Sequence, residues 1–447
     1  MQSDRRQFLA FGSLAGAAIA GCSWGPASAA MAPDAHRGAT ESLNIEPSGP
    51  TLEFRGTGAD DSQAINDALR KAAGGVLVVA GESRISSPIR IPSYTRLEAH
   101  GAVWRWPRDW SAITPQAMLV LEGGSHIVIE GLEIDGEHGS EDHHDKAVSA
   151  IVLGACNHIA IRNCYIHDLR GPDEATHWAT GIAMRGNATN ILIENNTIAN
   201  VQRNCVSTWA TTGSRRNTGI RILNNRLIKP RIRNCVLVSS SPEAVGEGDV
   251  FISGNELAEA VRLYAIRLSG SMNSIISNNH FRDNAGCINR NPLHGHRVII
   301  SGNLMRNTRG DVVHLNDSGH DANSTIFEHN IIEGAGGYTL RYLPRRTEPK
   351  ARRHSILTIT GNISHDSRGF RFSTDNNQGP DACRIQMMGN VVHNTHDSAI
   401  VVQGINRPLI SGNRIDAGRV SGHPGIRVTR SEEPMIQGNL VTGFRES

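Results

Sequence analysis

Four absences narrow the reading of this 447-residue chain. Net charge is nearly absent, since 45 basic and 43 acidic side chains leave +2 at neutral pH. That balance gives no general bias towards nucleic acid or an anionic membrane surface. Metal-type cysteine pairs are absent too. Cys22 aside, Cys156, Cys164, Cys205, Cys235, Cys287 and Cys383 show no CxxC spacing and read mostly as small core residues. After the first thirty residues, no run is long and apolar enough to cross a bilayer. Strands do not alternate with long helical stretches. Together with 46 glycines, plentiful Asn and 38% hydrophobic content, this argues for a buried core built from many short strands joined by turns.

The N-terminus carries an export pattern. "SDRRQFLAFGSLAGAAIAGC" pairs Arg5 and Arg6 with Phe8, Leu9 and a weakly apolar run, resembling a twin-arginine signal over residues 1–30. "ASAA" (Ala27–Ala30) resembles an ordinary cleavage site and is the preferred exit. "IAGC" offers the alternative of a lipid anchor at Cys22. A periplasmic or secreted protein is expected, monomeric and without a transmembrane segment in its mature form. Residues 31–55 read as a linker.

What is present is repetition. "NILIENNTIANV", "GIRILNNRLIKP" and "DVFISGNELAEA" share one apolar, polar, Asn, apolar phrase. Its Asn recurs at Asn196, Asn225, Asn255, Asn279, Asn303, Asn330, Asn362, Asn390, Asn413 and Asn439, at intervals of 23 to 32 residues. Leu132 and Cys164 hold the same place in two earlier, degenerate copies. Strand-like pieces at such a period argue for an all-β, single-stranded right-handed parallel β-helix of about eleven or more coils. The Asn column reads as structural, because Asn tolerates a left-handed bend and stacked Asn side chains bond along the axis.

These repeats resemble the pectate-lyase-like superfamily of parallel β-helices. "GTGADDSQAINDALRKAAGGVLVVAGESRISSPIRIPSYTRLEAHG" (Gly56–Gly101) is similar to the N-terminal segment of many of its members. There the Asp60–Asp61 pair precedes an amphipathic helix with Ile65, Ala68, Leu69 and Ala72 on one face, expected to cap the open end of the coil. The β-helix domain is expected over 56–447, with its cap in 56–101. The resemblance implies a fold shared by lyases, hydrolases, epimerases and noncatalytic binders, so chemistry must be read from the site.

A further strand recurs in each copy. Alternation points Ile266, Ile288, Val313, Leu340 and Phe370 inward, and the next residues outward as Arg267, Asn289, His314, Arg341 and Arg371. A second outward column contains Trp209, Ser269, Asn291 and Asn316. Like charges stacked on rungs about 4.8 Å apart invite an anion, and Arg forks suit the carboxylates of an acidic (uronate) polysaccharide. The expected catalytic set is His314, which titrates near neutrality, with Arg341 and Arg267 stabilising enolate-like charge. Trp209, Asn289, Asn316, Arg371 and Asp317 are the expected substrate contacts, and Tyr264 and Tyr338 are candidate acids or packing residues. Arg290 falls on an inward position, which calls for a bulge or a local shift of register.

This pattern points to a polysaccharide lyase or C5-epimerase. A glycoside hydrolase is the alternative enzyme, with Asp311, Asp317, Asp321 and Asp375 as its carboxylates. The Asn-Thr-Asp and Gly-His-Gly triplets of polygalacturonases are absent, as is an Asp-Pro-His-Asp epimerase motif. A noncatalytic polysaccharide-binding envelope protein is the third reading. No cofactor or metal ligand is assigned. Calcium is possible at Glu141, Asp142 and Asp145, where an ordinary solvated loop is the simpler reading.

Overall fold

A computed structural model describes residues 47–107, 117–137, 149–169, 179–210, 216–240, 247–291, 297–316, 323–343, 355–374, 383–395 and 397–444. The export segment, Cys22, Glu141, Asp142, Asp145, Asp317, Asp321 and Asp375 lie outside the described residues.

The described chain winds into an all-β solenoid with three short strands per coil. In one coil these are Ser271–Ser277, His280–Arg282 and Gly286–Arg290. Each strand pairs in parallel with its counterpart one coil before and one coil after, so Ile252, Ile276 and Ile300 stand in one column. First and second strands merge into a composite sheet of 28 strands, and the third strands form a separate sheet of 12. The sheets begin at Thr51–Arg55, inside the stretch read as linker, where the strand pairs with Val76–Ala80.

The core is the lumen of the coil. Ile266, Ile288, Val313, Leu340 and Phe370 are fully buried, as period-two alternation requires. Each such side chain contributes about 1.5–3 kcal/mol by leaving water. The helix Ser62–Lys71 adds its apolar face to the same cluster, with Ile65, Leu69 and Ala72 fully buried.

Asn side chains pin the bend between first and second strands. Asn303 accepts from the backbone N–H and the amide of Asn279, both at 3.0 Å, and donates to Ile276 O at 2.9 Å and to Asn330 Oδ1 at 2.9 Å. The pattern runs from Asn196 to Asn439, and Cys164 joins it by donating its N–H to Asn196. One expectation is corrected by a single residue. The left-handed position is the residue before the ladder, Asn195, Asn278, Gly302 or Gly361, each with positive φ. The ladder Asn itself turns inward, where its amide satisfies buried carbonyls.

Arg290 brings a second correction. It needs neither a bulge nor a shifted register, because it pairs with Leu268 and Leu315 in the regular ladder. Its side chain enters the lumen, is 1% exposed, and donates to Thr325 Oγ1 on the opposite wall. The lumen is polar at this coil, and Ser274 and Thr325 are both buried.

Candidate functional site

The 12-stranded sheet carries the outward column in the order expected. Leu237, Arg267, Asn289, His314, Arg341, Arg371, Val401 and Arg427 pair in unbroken register. His314 therefore lies one rung from Asn289 and Arg341, and two from Arg267 and Arg371. Arg267, Asn289, His314, Arg341 and Arg371 are all half-buried.

The corner before each third strand supplies what alternation misses. Ala265, Cys287 and Val312 are buried immediately before the buried Ile266, Ile288 and Val313, so two successive residues face inward. The phase is thereby reset, and the preceding residues, Tyr264, Asp311 and Tyr338, border the outward column. Tyr264 pairs with Gly286 on the next coil, and a Cβ at Gly286 would stand 2.4 Å from two Tyr264 ring carbons. The missing side chain lets the phenol cross that coil and place its hydroxyl 3.1 Å from His314 Nδ1 on the coil beyond. Gly337 has a similar role, since a Cβ there would stand 2.5 Å from Asp311 Oδ1.

Asp311 is held under the site. Its carboxylate accepts from the Tyr338 backbone N–H at 3.0 Å and lies 3.4 Å from Arg341. It thereby orients Arg341 and the Tyr338 corner. Arg371 donates to the Tyr338 hydroxyl at 3.0 Å and lies 5.6 Å from that ring's centroid. Burial, then the Asp311 carboxylate, raise the Tyr264 phenol above its ordinary range, while Arg341 opposes them. Tyr264 consequently keeps its proton through neutral and mildly alkaline pH. Arg341 Nε, Arg371 Nε and Asn316 Oδ1 are buried without a hydrogen-bond partner, which leaves the site's polar groups incompletely satisfied.

The remaining expected residues are dispersed. Asn289 donates to the His314 carbonyl at 3.4 Å. Arg267 donates through Nε to Ser269 Oγ at 3.0 Å. Trp209 is half-buried and four rungs from His314, about 19 Å by rung spacing. Asp317 lies outside the described residues. A separate group, Asp135, His167 and Asp168, brings ligand-type atoms within 4.8 Å of one another on the second-strand face. These groups already satisfy one another and Arg105: His167 lies 2.7 Å from Asp168 and 3.3 Å from Glu133, and Asp135 accepts from Arg105 at 3.0 Å.

Among the described residues, no helix is long and apolar enough to cross a membrane. No protein-family model matches the chain, and no curated protein matches it in sequence. Similar solved structures include the A-module of the mannuronan C-5 epimerase AlgE6 of Azotobacter vinelandii, at 13% identity over 87% of this chain and 95% of that one, with a TM-score of 0.45. A hyperthermoactive exopolygalacturonase of Thermotoga maritima is similar at 12% identity over 78% and 93%, with a TM-score of 0.43. An alginate lyase of Paenibacillus sp. str. FPU-7 is similar at 13% identity over 72% and 97%, with a TM-score of 0.40. At this distance the likeness transfers no residue role, and the chemistry of the chain rests on its own side chains.

Proposed function

We propose that the protein acts on an acidic polysaccharide by removing the proton at C5 of a uronate sugar, as a lyase or a C5-epimerase. One observation carries this reading: the Tyr264–His314 hydrogen bond, at 3.1 Å, lies beside Arg341 and Arg371. The two guanidiniums would neutralise the uronate carboxylate and so acidify the C5 proton. His314 would take that proton at Nε2, the nitrogen turned away from Tyr264, which is closed to solvent in the free protein and would have to be uncovered as substrate binds. The resulting electron pair enters the carboxylate-stabilised enolate. In the lyase reading it collapses to a C4–C5 double bond, the bond from C4 to the glycosidic oxygen breaks, and the Tyr264 hydroxyl protonates that oxygen. Nδ1–H of His314 then restores the tyrosine, so the net transfer is one proton from C5 to the leaving oxygen. In the epimerase reading the Tyr264 hydroxyl gives its proton to the opposite face of C5 instead of to the glycosidic oxygen, the C4–O bond stays intact, and Nδ1–H of His314 again restores the tyrosine.

Alginate, polygalacturonate and glycosaminoglycans, followed for unsaturated uronate and for inverted C5 configuration, test this reading. His314→Asn should keep polymer binding and lose turnover by about 100-fold or more. Arg341→Ala should weaken binding while leaving the fold intact. A fully active His314→Asn protein would overturn the assignment, as would a wild type that releases only saturated reducing ends.

A further inference from the structure

Five arginines of this region fall into two groups. Arg341 and Arg371 lie with Asp311 and Tyr338 beside His314, as described. Arg267 instead belongs with Arg203 and Arg233, which the alternation pattern did not place. Arg203 and Arg233 stand three residues before Val206 and Val236, which pair in register. The coils are locked there by the Asn234 N–H donating to Asn204 Oδ1 at 3.1 Å and the Ile232 N–H donating to Gln202 O at 3.1 Å. Arg267 follows one rung beyond Leu237, with its Nε anchored on Ser269 Oγ at 3.0 Å.

All three arginines are half-buried. Arg203 and Arg267 are each more easily deprotonated than an ordinary arginine, first because burial strips their water and then because the Arg233 charge is close. Among the described residues, no carboxylate forms an ion pair with Arg233 or Arg267. Cations gathered at a partly desolvated place repel one another, and that cost is relieved when an anion enters between them.

We propose that Arg233 and Arg267, with Arg203 beside them, form a second anion subsite that binds a carboxylate or sulfate on a sugar remote from the reacting one. The inference rests on the uronate reading of the His314 site. Arg267 is two rungs from His314, about 10 Å along the axis. An extended polysaccharide advances by about one rung per sugar, so the second anion belongs to a residue two or three sugars away. The preferred substrate class is therefore a polymer charged on successive or alternate sugars, read over several residues at once.

Defined uronate oligomers from dimer to hexamer, and sulfated glycosaminoglycan oligomers of equal length, test the subsite in wild type, Arg233→Gln and the Arg203→Ala/Arg233→Ala pair. Thermal unfolding and circular dichroism establish that each variant is folded. In wild type, KM should fall by about 10-fold or more once the oligomer is long enough to span both groups, the effect expected of one charge-assisted hydrogen bond. The double variant should lose that step while keeping kcat and the KM of the shortest oligomers. Comparing the two oligomer series tells carboxylate from sulfate. A step that persists in the folded double variant, or a wild type without a step, overturns the subsite and leaves the His314 reading standing. A wild type that neither binds nor converts any acidic oligomer overturns both.

Discussion

Replacing Gly286 by Ala should disable the site with a single methyl group. Gly286 does not have a left-handed backbone, so alanine meets no φ penalty there and, elsewhere, such a change commonly stabilises by about 0.4–1 kcal/mol. Here the new Cβ would lie 2.4 Å from two Tyr264 ring carbons and 2.9 Å from Asp311 O. Non-bonded carbons settle at about 3.5–4.0 Å, so the ring has to move by about 1 Å or more. A displacement of that size breaks the 3.1 Å contact with His314. Overpacking of this kind costs about 1–3 kcal/mol, and loss of the acid costs about 100-fold in kcat. Urea unfolding and initial rates on whichever acidic polysaccharide proves to be the substrate measure the two effects separately. Tyr264→Phe should show the rate loss without the unfolding penalty. In a Tyr264→Ala background, most of the Gly286→Ala penalty should vanish, because only the Asp311 carbonyl remains in the way. An active, equally stable Gly286→Ala protein refutes this reasoning, as does a penalty unchanged by removal of the ring.

Three further outcomes are expected. Asn303→Ala strands the Asn279 N–H and amide inside the coil, at about 1–3 kcal/mol for each buried donor, so chemical denaturation should show a loss of roughly 2–6 kcal/mol; a loss below about 1 kcal/mol would contradict the ladder. Phe370→Asp should abolish soluble protein while Arg371→Asp should not, and equal yields of the two would contradict the assigned register. Burial pushes the thiols of Cys156, Cys164 and Cys287 from the ordinary value up to about 12. The native state binds these protons more tightly than the unfolded chain, so their contribution to stability is complete below about pH 9 and declines as pH rises towards 12. Thiol reagents at pH 8 should find them inert until urea is added, and prompt native-state labelling would contradict their burial.

Much of the fold was legible because a solenoid repeats its evidence. Ten Asn residues at one phase fix the coil, and strict alternation puts His314, Arg341 and Arg371 on one outward line. The site was legible only in part, for a physical reason. Alternation holds within a strand and fails at a corner, where Cys287 and Ile288 both turn inward and the phase restarts. Tyr264, Asp311 and Tyr338 precede that restart, so period two could not orient them. A local signal did exist: at successive copies of this corner the residues read Tyr264, Gly286, Asp311, and the glycine marks the space the phenol occupies. Arg203 and Arg233 were hidden by the same corner. Arg290 was misjudged because an inward arginine was assumed to require irregular backbone, whereas a lumen lined by Ser274 and Thr325 accepts it without any.

The Asn ladder also gives the molecule graduations. Asn225, Asn255 and Asn279 bond alike to the coil before and the coil after, so the chain can be cut at equivalent points and rejoined with the same bonds restored. Removing or duplicating one whole coil between Arg267 and His314 would alter their axial separation by about 4.8 Å while the bends on either side kept their partners. On the proposed polysaccharide reading such a protein would behave as a ruler, and the span of polymer between the two groups would lengthen or shorten by whole sugars. The same change would part or crowd the Tyr264–His314 pair, which spans that very coil, so the ruler and the proposed acid–base pair share one graduation.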